Sequence, residues 1–259
     1  MHDMTPLTPA AELPGTFSDA PPWRLPVEPL PWQRNVDVRR NVARRRVPEM
    51  MTPSWLPPGP RVMKVVRELG GAVLLWHLKD RRGGRATSRA GIARRLREAA
   101  ERLGPTYIKL GQIISSGEGL FPPELVSEFR KCRDQVPPEP FSAVERVVAE
   151  DLGRPLEDVF VEFDAEPLAA ASIAQVHRAV LREGPDGGPT EVVVKVQRPA
   201  VARQVTKDIK VLAWLTPYLV GRIPVASLAN PQALVEVFAK TIVEELDFRL
   251  EAQNMLDVA

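Results

Sequence analysis

The sequence predicts an α+β fold, with a helical N-terminal region followed by a short antiparallel sheet and further helices. Three observations predict it. Apolar residues recur at helical spacing from about Arg61 to Leu152, and they change to two-residue alternation between about Pro155 and Pro199. Helical spacing then returns and runs into an acidic stretch that ends at Asn254. With 259 residues, 44% of them hydrophobic, the chain is long enough to bury a core of one or two domains.

Residues 1–60 hold thirteen of the 27 prolines and little apolar periodicity. They are expected to form a disordered or loosely draped leader, with Trp23, Trp32 and Trp55 as the side chains that would dock it. Its basic cluster, Arg39-Arg40 and Arg44-Arg45-Arg46, is expected to be a solvated charge run. Residues 61–152 form the helical extension. One helix is expected from Arg61 to about Arg82, and a basic one from an N-cap at Ser88 to Leu103. Gly104-Pro105 ends that helix and starts the next, which carries Tyr107-Ile-Lys-Leu-Gly-Gln-Ile-Ile-Ser-Ser116. Pro122-Pro123 opens a helix through Cys132, and Phe141 to Leu152 forms another with Val144, Val147, Val148 and Leu152 as its apolar stripe.

Residues 153–259 hold the sheet. Val159, Val161 and Phe163 mark a first strand, Ala169-Ala170-Ala171-Ser172 a small-residue turn, and Ile173 to Leu181 a second strand. Gly184-Pro-Asp-Gly-Gly-Pro189 returns the chain antiparallel into Glu191-Val-Val-Val-Lys-Val-Gln-Arg-Pro199. Here Val192, Val194 and Val196 share one side, and Val193, Lys195 and Gln197 the other. A lysine in such a run would need an anionic partner if it were buried. A helix then runs to about Tyr218, and Asn230-Pro231 caps a last one that continues through Glu245, Asp247 and Glu251 to Asn254.

Composition excludes several functions. One cysteine, Cys132, rules out an internal disulfide and a cysteine-based zinc site. The three histidines lack metal-ligand spacing, so no metal site is expected, and His177 reads as a packed or surface residue. A net charge of +2 argues nothing strong about nucleic acid; no nucleic-acid partner is expected because the basic helix has no interleaved aromatic residues and no known binding module. The apolar run Val62–Leu78 is too short and too charged to span a bilayer, and no signal peptide is indicated. We expect a cytoplasmic protein, with membrane association limited to peripheral lipid contact through the basic helix (Arg94, Arg95, Arg97, Arg102).

The order strand, small-residue turn, strand, loop, strand with lysine, then acidic helix is that of a protein-kinase N-lobe. There, a lysine neutralises phosphate oxygens and a helix glutamate orients it. Glu251 or Asp247, one turn apart on the same helix face, would supply that carboxylate. Alanines in place of the usual glycines should give a stiffer turn with altered nucleotide contacts. Lys109 and Gln112 lie at i, i+3 on one helix face, and Gly111 between them allows another element to approach closely.

Together, Lys109-Leu-Gly-Gln112, Ala169-Ala-Ala-Ser-Ile-Ala-Gln-Val-His177, Val193-Val-Lys-Val-Gln-Arg-Pro199 and Glu245-Leu-Asp-Phe-Arg-Leu-Glu-Ala-Gln-Asn254 resemble the UbiB/AarF family of atypical kinases. The likeness runs from about Ser88 to the C-terminus. It implies that the helical extension folds over a nucleotide cleft and that Lys109 and Gln112 occupy the space of a protein substrate. It further implies that Ala169, Ala170, Ala171 and Ser172 alter nucleotide preference. By the same resemblance Lys195 is the nucleotide lysine, Glu251 its partner, and Glu245 with Asp247 an acidic pair that meets the Lys-x-Gly-Gln element.

The implied ligand is ATP or ADP. The implied activity is ATP hydrolysis or phosphoryl transfer to a small or lipid-like substrate, linked to isoprenoid-quinone metabolism. One departure stands out: no His-x-Asp loop and no Asp-Phe-Gly follows Asn254 before Ala259. The expectation is therefore an N-lobe with its C-lobe absent, inactive until a C-lobe-bearing partner chain supplies the groups for Mg²⁺. The alternative is a non-catalytic membrane- or protein-binding scaffold built on the same fold.

Overall fold

The structure is a computed structural model, and it describes residues 30–52, 55–81, 84–132, 137–184, 187–219 and 231–258. The chain divides into two compact units, Met50–Ala239 and Met1–Glu49 with Lys240–Ala259.

In the larger unit, α2 (Arg61–Lys79) and α3 (Arg85–Leu103) form an antiparallel pair. Carboxylates of α2 and the turn after it meet arginines of α3. Arg102 Nε donates to Glu68 at 2.7 Å and Arg95 Nε to Asp80 at 2.6 Å. The helix begins earlier than its sequence signal, because Gly84 adopts a left-handed φ of 52° and frees Arg85 to start it. Ser88 therefore lies inside α3 rather than at its cap. Its carbonyl and hydroxyl oxygens accept the Trp76 indole N–H instead.

Gly104, at φ 99°, turns the chain into α4 (Pro105–Ser115). The next helix, α5 (Pro123–Phe129), ends three residues short of Cys132 and lays Phe129 against α4. A buried polar hub ties these helices to α8 (Val201–Leu219). Asp208, with no exposed surface, accepts Arg61 Nε at 2.6 Å, Thr106 Oγ1 at 2.7 Å and Gln204 Nε2 at 3.0 Å. Arg61 also donates to the Leu103 carbonyl at 2.6 Å, so one carboxylate and one guanidinium fix where α4 begins. The neighbouring Tyr107 hydroxyl is buried, and burial together with the Asp208 charge raises its pKa above the ordinary phenol range.

The sheet follows α6 (Phe141–Leu152) and a single helical turn, α7 (Leu156–Val159). Four strands form where three were expected: β1 (Phe160–Phe163), β2 (Ala169–Ala170), β3 (Ala174–Leu181) and β4 (Thr190–Gln197). The extra strand is the start of the alanine stretch, and Val159 belongs to α7 rather than to β1. Strand β3 is central. On one edge it pairs with β1 through Leu181 to Ala179 and with β2 through Val176 and Gln175; β4 pairs along the whole of the other edge. Every pairing is antiparallel. One face of the sheet packs on α6, with Val144, Val148, Leu156, Phe160, Ala179 and Val196 at the core and Val192 and Val194 partly buried beside them. The alternation read for β4 is thus the real division between a core face and an outer one.

In the smaller unit the leader departs from expectation. Residues 1–29, including Trp23, lie outside the described residues. A 3-10 turn at Pro31–Asn35 leads into α1 (Val36–Met51), which is helical where a draped segment was expected. Its arginines are not merely solvated. Arg44 Nε donates to Glu244 at 2.8 Å, Arg40 to the Asn254 side-chain oxygen at 3.1 Å, and Arg39 stands 3.9 Å from Asp247. Trp55, in the larger unit, is 95% exposed and docks nothing.

The acidic segment is two helices, not one: α9 (Pro231–Glu245) and α10 (Phe248–Val258), with Asp247 between them. The Asn230 cap read from sequence lies outside the described residues. No described helix is long and apolar enough to cross a membrane.

Candidate functional site

Lys195 lies on the outer face of β4, away from α6, and is exposed. Burial therefore does not by itself create its need for an anion. Register decides what stands beside it. Val176 of β3 pairs with Lys195 of β4 and also with Ala169 of β2. Directly paired residues of an antiparallel sheet share a face. Ala169, Val176 and Lys195 therefore form one rung on the outer face, with the lysine two strand spacings, about 9.5 Å, from the start of the alanine stretch. A lysine and a small-residue turn on one solvent-facing rung can grip a phosphate chain between them.

The turn itself is tight. Ala169 and Ala170 are β2, the Ala171 N–H donates to the Ala174 carbonyl at 2.8 Å, and only Ser172 and Ile173 lie between. Ser172 is buried. Sequence reasoning missed what holds this turn. Arg198, whose side chain is 5% exposed, donates from Nε to the Ala171 carbonyl at 2.9 Å and from its backbone N–H to the Ile173 carbonyl at 3.0 Å. Its Nη1 reaches the Pro137 carbonyl at 3.0 Å and Glu139 Oε1 at 3.1 Å. Only an arginine directly after the apolar strand could have signalled it, and its partners are 27 and 59 positions away.

Beneath the turn, on the core face, His177 is fully buried beside Phe141 and Phe163. Its Nδ1 lies 2.7 Å from the Asp164 carbonyl, which can only accept, so Nδ1 carries the proton. Nε2 then accepts from Gln175 Nε2 at 2.9 Å, and Gln175 Oε1 accepts the Glu139 N–H at 2.8 Å. With both ring nitrogens engaged and no solvent exposure, His177 is a packed residue.

On α4, Lys109 and Gln112 are half-buried. Gly111 is buried against α5, and a Cβ added there would stand 2.3 Å from Phe129 Cδ1. The close approach expected at that glycine is therefore real, and the visitor is an aromatic ring.

Of the remaining acidic residues, Glu245 closes α9 and Glu251 lies half-buried in the first turn of α10. Asp247 has a local duty: its side chain accepts the Arg249 N–H at 3.1 Å and its carbonyl the Leu250 N–H at 2.9 Å. It caps α10, which corrects the placing of Asp247 and Glu251 on one helix face. Lys195, the alanine turn and the Lys109 motif belong to the larger unit, and Glu245, Asp247 and Glu251 to the smaller.

The basic helix proposed to face lipid is engaged within the protein. Arg95 and Arg94 meet Asp80, Arg97 meets Glu101 and Glu128, and Arg102 meets Glu68. Among the described residues no cluster of His, Cys, Asp and Glu could hold a metal ion.

Residues 131–259 match the ABC1 atypical kinase-like domain. An uncharacterised chloroplastic aarF domain-containing protein kinase of Arabidopsis thaliana is 42% identical over 165 residues, 62% of this chain and 29% of that protein. A probable protein kinase UbiB of Pseudomonas paraeruginosa is 38% identical over 235 residues, 87% of this chain and 39% of that protein. The probable protein kinase UbiB of Vibrio parahaemolyticus is 38% identical over 167 residues, 64% of this chain and 30% of its own length. The chain thus spans about a third of the length of the curated relatives it matches.

Proposed function

Because this chain belongs to the UbiB/AarF family of atypical kinases, we propose that it binds an adenine nucleotide, ADP or ATP, on the outer face of its sheet. The observation that carries this reading is the shared rung of Lys195 and Ala169. Lys195 neutralises phosphate oxygens, and Ala169, Ala170, Ala171 and Ser172 form the turn over them. The family resemblance gives Glu251 the role of carboxylate partner to such a lysine, and it gives Lys109, Gly111 and Gln112, like Glu245 and Asp247, roles in keeping a protein substrate from the cleft.

Magnesium would be held by the catalytic-loop aspartate and the Asp-Phe-Gly aspartate of a C-lobe. The chain is then the nucleotide-gripping N-terminal part of a phosphotransferase or ATPase. Its C-lobe comes from further sequence or a partner chain, and its work is in isoprenoid-quinone metabolism. Titration with a fluorescent ADP tests the reading. The unaltered chain should bind, and Lys195→Ala should weaken binding roughly tenfold or more, as expected for a lost charge-assisted bond to phosphate. Equal affinities would remove Lys195 from the site.

A second reading, peripheral lipid contact, is supported by a different element. On α2, Met63, Val66, Val73, Leu74 and Leu78 fall on one helical stripe and are 47% to 77% exposed. Liposome co-sedimentation that survives Leu74→Glu would remove this stripe from consideration.

A further inference from the structure

We propose that Arg198 is the positioning residue that sets the nucleotide selectivity of the alanine turn, an inference that rests on the nucleotide reading above. Ser172 and Ile173 make a two-residue hairpin connection between Ala171 and Ala174. Connections of that length ordinarily place one or both central residues at positive φ, which matches the twist of the flanking strands. Here neither does: among the described non-glycine residues Ala200 alone has positive φ. The turn is not of the self-supporting kind, and something outside it must hold it closed.

Arg198 does so from two directions. Its backbone N–H takes the Ile173 carbonyl and its guanidinium Nε takes the Ala171 carbonyl, so both oxygens flanking the buried Ser172 accept from one residue. The guanidinium is itself aimed by the Pro137 carbonyl and by Glu139. Glu139 is in turn fixed through its backbone N–H by Gln175, which braces His177. A planar fork with several donors is suited to this bridging, and a lysine ammonium is not.

The consequence concerns phosphate. In a glycine-rich turn the backbone N–H groups point at the phosphates. Here the Ala171 N–H is committed to Ala174, and the Ala171–Ser172 peptide is held through its carbonyl by Arg198, so neither peptide can rotate toward a ligand. With Arg198 in place the turn offers fewer donors, which favours the nucleotide with fewer phosphates. Loosening Arg198 releases the Ala171–Ser172 peptide, whose N–H can then turn to phosphate, and shifts preference toward the longer phosphate chain.

The test measures ADP and ATP affinities side by side for the unaltered chain, Arg198→Lys and Glu139→Ala, after thermal unfolding has shown which variants fold. Glu139 is partly exposed and outside the turn, so its variant carries the test if Arg198→Lys does not fold. In a folded Arg198→Lys protein the ratio of ADP to ATP affinity should move toward ATP by about fivefold or more, the range of a typical coupling between sites. Glu139→Ala should move it in the same direction by a smaller factor. The Ala171 amide should also exchange with deuterium faster than in the unaltered chain, while amides of the β3–β4 pairing keep their protection. If the unaltered chain binds neither nucleotide, the nucleotide reading fails and this inference with it. Where it binds and the ratio stays constant in the folded variants, this inference alone is overturned.

Discussion

Gly111 is where one missing methyl group decides how close two helices come. A Cβ there would lie 2.3 Å from Phe129 Cδ1 and 2.7 Å from Cε1, well inside contact distance. Phe129 is buried and has no solvent to swing into. Gly111→Ala should therefore destabilise the chain by roughly 1–3 kcal/mol, the usual result of forcing a methyl group into a packed interior. Urea unfolding would show it, and combining the change with Phe129→Leu should cost less than the two single effects added. Full additivity would mean that the ring is not the obstacle. The same glycine puts the half-buried Lys109 and Gln112 on a helix that cannot drift from α5, so the motif's spacing is as much about packing as about charge.

At the level of elements, helix ends and helix seams carry the local electrostatics. Asp247 closes the break between α9 and α10 by accepting the Arg249 N–H. Asp247→Ala should cost about 1 kcal/mol, the ordinary value of an N-cap. It should raise hydrogen exchange in the first turn of α10 before exchange elsewhere in the chain, and unchanged exchange there would rule out the cap.

The seams joining α2, α3 and α5 are charged. Glu68 is held below the usual carboxylate range chiefly by its hydrogen bond from Arg102 and then Arg67; Asp80 by Arg95; Glu128 by Lys131 and then Arg97. A lowered folded pKa means that the unfolded chain binds the proton more readily. The stability from these pairs is therefore complete above the ordinary values of 4.5 for glutamate and 3.8 for aspartate, and it is lost as pH falls below them. The melting temperature should drop as the pH passes down through that window, and less steeply in high salt, because the Arg102, Arg67 and Lys131 ends of these pairs are exposed. A flat profile there would show that the seams add nothing.

At the scale of the whole molecule, the proposed function makes residues 1–259 the nucleotide-gripping part of a phosphoryl-transfer site, with no His-x-Asp or Asp-Phe-Gly among them after Asn254. The purified chain with ATP and Mg²⁺ should show no turnover above background, read as phosphate release. Turnover abolished by Lys195→Ala would overturn the division of labour proposed here.

Much of this arrangement was legible in the sequence, because it rests on local signals. Periodicity placed α2, α4 and α6 and the β3–β4 hairpin, Gly104-Pro105 marked the break before α4, and the valine alternation gave the two faces of β4. The family motifs pointed to Lys195, the alanine stretch and the Lys109 helix. Other features were not legible, since each depends on groups that the chain brings together from far apart. The leader is helical where its arginines meet acceptors 200 or more positions away. Asp208 reaches residues 147 and 102 positions back, and Arg198 holds carbonyls on the far side of a turn. The sequence by itself determined which segments become helix or strand and which residues face the core, because hydrophobic period and turn chemistry act over a few residues. Only the tertiary structure decided which buried polar groups satisfy one another, because a buried charge takes whatever partner folding delivers, at any distance along the chain.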